Sequence, residues 1–147
     1  MDWQKNKYNI KNDSSPIIGV ISRFIHLKGL QYIIPAFAEV KKTHPKAHLI
    51  LANAIGSDSM EIKKLLQNLL SQNDYTEITF ESDLHNLYGV FDYFIHAPIN
   101  KEIEAFGQTY IESLAAKVPS VFTLSGIANE FIINKYNAIV VPYSSSE

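Results

Sequence analysis

The strongest limit on the fold is an alternation that starts at Pro16. Short continuous apolar runs recur along the chain, separated by segments whose apolar residues fall at helical spacing. "PIIGVIS" is such a run, as expected of a strand covered on both faces. "GLQYIIPAFAEVKKTHP" follows, with Leu30, Ile33, Ile34, Phe37 and Val40 on one helical face. Pro35 within it predicts a kink or a local adjustment. "AHLILAN" is the next strand and "SMEIKKLLQNLLSQ" the next helix, with Asp58 or Ser59 as candidate cap. "TEITF", "DYFIHAP", "PSVFTL" and "NAIVVPY" are further strands. "DLHNLYGV" (capped by Asp83), "GQTYIESLAAK" and "ANEFIINK" are the helices between them. About six strand–helix alternations with short links predict an α/β domain: a doubly wound, Rossmann-like parallel sheet with helices on both faces.

That architecture says where function should lie, because ligands of such sheets bind outside the carboxyl ends of the strands. Arg23 and Lys28 follow the first strand, Glu104 and Gly107 follow "DYFIHAP", and Ser125 and Gly126 follow "PSVFTL". Three polar clusters therefore converge on one edge. Residues 1–15 are polar and turn-rich and read as a leader or linker rather than core, which leaves 16–147 as the domain.

Composition narrows the function classes. With 147 residues, 46% apolar and 19% charged, the chain suits one soluble globular domain. A net charge of −2 does not advertise a nucleic-acid surface. The absence of cysteine excludes disulfides, thiol catalysis and a thiolate zinc site. No apolar run reaches membrane-spanning length, and the first residues carry no signal-peptide core, so a cytoplasmic location is expected. The five histidines are not spaced as a metal site, and neither a G-x-G-x-x-G nor a P-loop is present. The strand ends also lack the acidic cluster of a phosphorylated receiver domain.

Several segments carry chemistry. "SRFIHLKG" places an arginine fork and a mobile ammonium on one strand-to-helix loop, which suits a diphosphate. Taken alone, Arg23 and Lys28 read more readily as solvated loop charges, and His26 between them as an exposed loop residue. In "EAFGQTYIE" the amides of Gly107, Gln108 and Thr109 open a helix and can receive a phosphate oxygen. Gly107 would let a ligand approach the backbone. Glu112, inside that helix, is placed to accept from vicinal hydroxyls such as those of a ribose. Glu104, in the loop, can serve a sugar ring, or it can be a helix-dipole acid. "TLSGIANEF" has Gly126 in a turn and Glu130 early in a helix, and alone it is an ordinary helix start.

In order, these segments resemble the C-terminal domain of the retaining glycosyltransferases of the GT-B fold, group 1 (family 4). "SRFIHLKG" matches G-R-x-x-x-x-K-G at Arg23, Lys28 and Gly29. "ITF" matches V-x-F, and "DLHNLYGVFDYF" the helix and strand after it. "EAFGQTYIESLAAKVPSV" matches E-x-F-G-x-x-x-x-E-A-x-A-x-G-x-P-V, "GIANE" matches G-G-x-x-E, and "NAIVVP" the last strand. The similarity covers about residues 16–143, and its specificity lies in the combination. Ser22, Lys117, Ile127 and Ala138 stand where glycine is usual.

The resemblance implies one half of a GT-B enzyme that binds a nucleotide-diphospho-sugar. It implies Glu104, Arg23 and Lys28 as the catalytic group, with Glu104 toward the sugar and the cations on the diphosphate. Gly107, Gln108, Thr109, Glu112, Gly126, Ile127, Ala128 and Asn129 are implied as donor-binding, with Glu112 on the ribose. No cofactor or metal is expected, because the two cations take the metal's place. The acceptor, a glycan, lipid-linked or small molecule, is expected to bind through an N-terminal domain lying outside this chain. Any membrane association would come from the rest of the enzyme, and nucleic acid is not an expected partner. The chain is thus expected to be a fragment, short at its C-terminus as well, that binds nucleotide weakly and does not transfer sugar alone. The alternatives are a non-catalytic nucleotide-binding or interaction domain of the same fold, and a GT-B-type sugar-nucleotide epimerase.

Overall fold

The computed structural model describes residues 2–147. The first apolar run forms β1 (Ile17–Ile21) and the second forms β2 (His48–Ala52), and every residue of both strands is buried. Alternation of side chains across a strand explains why both runs must be apolar throughout. Ile18, Val20, Leu49 and Leu51 face α2 (Leu30–Thr43) and α3 (Ser59–Leu69). Ile17, Ile21, Ile50 and Ala52 point the other way, toward α4 (Leu84–Tyr88) and α5 (Gln108–Ala115). The remaining strands are β3 (Tyr75–Ile78), β4 (Tyr93–His96), β5 (Ser120–Phe122) and β6 (Ile139–Val140).

The six strands are parallel and lie in the order β3-β2-β1-β4-β5-β6. The chain builds outward from β1 in one direction, returns to lay β4 on its other side, and continues outward from there. The winding therefore reverses between β1 and β4, and a crevice opens beyond their carboxyl ends. Phe94 of β4 and Phe122 of β5 are fully buried under α4 and α5. Tyr88 meets Phe94 edge-on at 5.3 Å, and Tyr110 meets Phe122 at 4.7 Å. Each such ring contributes about 1.5–3 kcal/mol through burial, and edge-to-face contact adds directionality. The aromatic cluster thereby locks α5 onto the strand ends that carry the crevice.

Two expectations are corrected. The segment read as a leader, 1–15, is not apart from the core: its described residues form α1 (Asp2–Lys7), and Tyr8 and Ile10 are buried against the α4 side of the sheet. The Tyr8 hydroxyl donates to Glu81 at 2.9 Å and Lys7 pairs with the same carboxylate at 2.8 Å. Two apolar residues in a polar stretch were enough, because the turn at Asn9 (φ 55°) turns both inward. α2 runs through Pro35 to Thr43. "ANEFIINK" makes only a 3-10 turn at Ala128–Glu130. Asparagine side chains take over the backbone there: Asn137 accepts from Ile133 N–H at 2.8 Å and donates to the Phe131 carbonyl, and Asn134 accepts from Val140 N–H at 2.9 Å. Asp83 does cap α4, accepting from Asn86 N–H at 3.2 Å.

Lys117 occupies a left-handed backbone position (φ 58°) just past α5, where a glycine would be unstrained. Its N–H bonds to Leu114 O at 2.9 Å and that of Val118 to Ser113 O at 3.1 Å, closing the helix end. The left-handed conformation costs an L-residue about 1–2 kcal/mol, and glycine recovers part of that against its larger unfolded-state entropy. Lys117→Gly is therefore expected to stabilise the chain by about 0.5–1 kcal/mol in urea denaturation, whereas Lys117→Val should destabilise it.

Candidate functional site

The β1 and β4 ends bring their loops into contact. Phe24, fully buried, anchors the loop after β1, and a 3-10 turn at His26–Lys28 leads into α2. Across the crevice, Ile99 N–H donates to Leu27 O at 3.1 Å, tying the loop after β4 to it. At this junction the Lys28 ammonium forms a direct ion pair with Glu104 Oε1. His96, the last residue of β4, places Nε2 3.0 Å from the same oxygen. The Lys28 and Glu104 side chains are only 18% and 14% exposed, so the pair is largely desolvated.

The Glu104 carboxyl is held near 2 instead of the usual 4.5, first by the His96 hydrogen bond and then by Lys28, against the opposing effect of burial. Burial pushes the His96 imidazole down more strongly than Glu104 pulls it up. His96 is therefore a neutral ring whose Nε2–H donates to the carboxylate. Its Nδ1 is buried with no partner. The main chain of Glu104 is fixed as well, its N–H donating to Ser125 Oγ at 2.9 Å.

Gly126 shows why that loop can sit so close to β5. Its φ of 61° is left-handed, and a Cβ there would lie 2.7 Å from the Glu104 carbonyl oxygen. Its N–H is already donated to Lys101 O at 2.9 Å, and the N–H of Ala128, a fully buried residue, goes to Ser125 O at 3.2 Å. Those two amides thus serve the protein's own turn, so the expected donor contacts of this segment narrow to Ile127 and the exposed Asn129. Gly107 has a structural reason of its own beside the expected one. It caps α5 at φ 76°, and a Cβ would come within 2.6 Å of the Tyr110 ring, so the helix itself requires the glycine. No side chain caps α5, and its first turn, with Gln108 and Thr109, carries no acid. The helix start is open to an anion.

Glu112 lies on the same helix, half-buried. The Tyr88 hydroxyl donates to its Oε2 at 3.2 Å. Burial, and then the Glu112 charge, push that hydroxyl's pKa up, so it remains a donor. Glu112 forms one wall of a hollow of about 330 Å³ between α4 and α5, lined also by Leu84, His85, Tyr88, Ala115 and Ala116. Arg23 is exposed and joins no ion pair among the described residues. His26 pairs with Glu61 at 2.8 Å, outside this cluster.

The structure thus joins Lys28 to Glu104, ties Glu104 to the segment before Gly126, and gives Glu112 a cavity of its own. His96 is the residue that the motif reading missed. Its signal is its place as the last residue of a strand whose end meets the crevice, whereas the sequence reading weighs His96 only as a metal ligand. Among the described residues no three His, Asp or Glu side chains gather as a metal site.

Comparison with known proteins follows this geometry. The family described as "Glycosyl transferases group 1" matches residues 1–147. The chain belongs to this family. A group 1 relative, the alpha-monoglucosyldiacylglycerol synthase of Acholeplasma laidlawii, is 26% identical over 137 residues, 92% of this chain and 33% of that protein. A glycosyltransferase from Rickettsia africae superposes with a TM-score of 0.87 at 30% identity, over 99% of this chain and 38% of its own. The HepE protein of Anabaena, solved with UDP and glucose, has a TM-score of 0.85 at 21% identity, over 99% of this chain and 39% of that one. This group 1 chain therefore spans between a third and two fifths of the length of these relatives.

A carboxyl group lowered from 4.5 to about 2 on folding adds stability above pH 4.5, which is lost as the pH falls toward 2. Followed by carboxyl-carbon NMR, Glu104 should show no inflection at the usual 4.5. Lys28→Met should move its titration upward, and an unchanged curve in that variant would show that the ion pair does not hold in solution.

Proposed function

We propose that the chain is the donor-binding half of a retaining glycosyltransferase, which takes a hexose from a nucleotide diphosphate. The reading is carried by one observation: Lys28, Glu104 and the open start of α5 meet at the point where the sheet reverses direction. The diphosphate lies between Arg23, Lys28 and the amides of Gln108 and Thr109. As the bond from the sugar's anomeric carbon to the phosphate oxygen breaks, negative charge grows on that phosphate. The two cations and the helix amides stabilise it there more than in the ground state. Glu112, steadied by Tyr88, accepts from the ribose hydroxyls, and the hollow beside it receives the base. Glu104 faces the sugar, and Ile127 and Asn129 lie on its far side. Arg23 and Lys28 supply the charge that a divalent ion provides elsewhere. The acceptor, a glycan, lipid-linked or small molecule, is held by the rest of the enzyme. No helix among the described residues is long and apolar enough to cross a membrane. The uridine nucleotide and glucose in HepE support UDP-glucose as the first donor to try.

Calorimetric titration with UDP, GDP and ADP tests this reading. One nucleotide should bind in the micromolar-to-millimolar range. Arg23→Ala and Glu112→Ala should each weaken it about tenfold, the scale of one charge-assisted hydrogen bond. The isolated chain should not transfer sugar, because only one wall of the cleft is present. Binding to none of the three would favour a non-catalytic interaction domain of the same fold.

A further inference from the structure

We propose that His96 is a positioning residue that keeps the Glu104 carboxylate in place when Lys28 turns from it to the donor diphosphate. The inference rests on the donor-site reading above and adds to it a residue outside the motif.

Lys28 and His96 share one oxygen of Glu104, but they differ in mobility. The lysine stem is flexible and partly exposed, and its ammonium is the cation adjacent to the crevice. A diphosphate arriving there attracts Lys28 and repels Glu104. His96 is 2% exposed and cannot follow. Its ring packs edge-on against Tyr110 at 4.9 Å. Tyr110 is itself pinned, donating to Thr123 O at 2.6 Å and accepting from Ser125 N–H at 3.1 Å. Ser125 in turn holds the Glu104 amide. His96, Tyr110, Ser125 and the Glu104 backbone therefore form a rigid frame, in which the lysine is the one mobile member.

The ring's single hydrogen bond points to the same role. Nδ1 is buried without a partner, so nothing but Glu104 uses the polarity of this imidazole. An apolar side chain of similar volume would avoid stranding that nitrogen. The polarity is thus directed wholly at the carboxylate. The charged and titratable groups facing the ring are Lys28 from the loop after β1, Glu104 from the loop after β4 and Tyr110 from α5. When Lys28 leaves, a positive charge that disfavours imidazolium is removed, and a ligand anion takes its place nearby.

Long-range ¹H–¹⁵N NMR of the histidine rings reads this directly on the wild-type chain. Free protein should show His96 as the neutral Nε2–H tautomer. Saturation with whichever of UDP, GDP and ADP binds should raise its titration midpoint while the Nε2–H bond persists. Calorimetry adds a second readout with the nucleotide and its glucose ester. His96→Ala should weaken the glucose ester about tenfold more than the nucleotide alone, the scale of one hydrogen bond to a charged group. His96→Gln, whose amide can donate to Glu104, should restore most of the loss, with melting curves confirming that both variants fold. If a nucleotide binds but the His96 midpoint does not move, or the Nε2–H bond to Glu104 is lost, the inference is overturned and the donor site stands. If no nucleotide binds the wild type, the donor-site reading falls, and this inference with it. Should His96→Ala fail to fold, the wild-type NMR comparison and His96→Gln decide.

Discussion

The carboxylate of Glu104 is where three segments distant in sequence become one site. Lys28 comes from the loop after β1, His96 from the last position of β4, and the Ser125 hydroxyl that fixes the Glu104 amide from beyond β5. A desolvated carboxylate is costly unless its partners are in place, so each of these loops is held to the others by that one group. The sheet order makes the meeting possible. Because β4 returns to pair with β1 instead of extending past β3, the two loops open on the same crevice. The aromatic packing of Phe94, Phe122 and Tyr110 then keeps α5, with its open start and Glu112, at a fixed distance from the pair.

The fold was legible because its signals are local and repeated. Fully apolar runs bounded by turns could only be strands buried on both faces, and the five buried residues of β1 and of β2 bear that out. The place of the candidate site was legible in outline, because ligands of such sheets bind outside the carboxyl ends of the strands. Arg23, Lys28, Glu104 and Glu112 are found on that edge or on the helix that leads from it.

Other features depended on contacts that a linear pattern does not carry. Tyr8 and Ile10 enter the core from a polar segment because a single left-handed residue turns the chain. The "ANEFIINK" helix was expected from its apolar spacing, but Asn134 and Asn137 satisfy the backbone from their own side chains. Gly107 was read as an opening for a ligand, but its room for Tyr110, like that of Gly126 for the Glu104 carbonyl, shows only in the packing. His96 was passed over for a related reason: its contact with Glu104 exists only once β4 ends opposite Lys28.

Amide NMR of the wild-type chain titrated with UDP, GDP and ADP tests most directly whether the carboxyl-end crevice between β1 and β4 is the proposed nucleotide-diphosphate site. Amides shifted by the nucleotide that binds should cluster at residues 23–29, 104–112 and 127–129, with Glu112 and Thr109 among the largest. Shifts centred instead on the hollow lined by Tyr93, Val121 and Tyr136, at the other end of the strands, would contradict it.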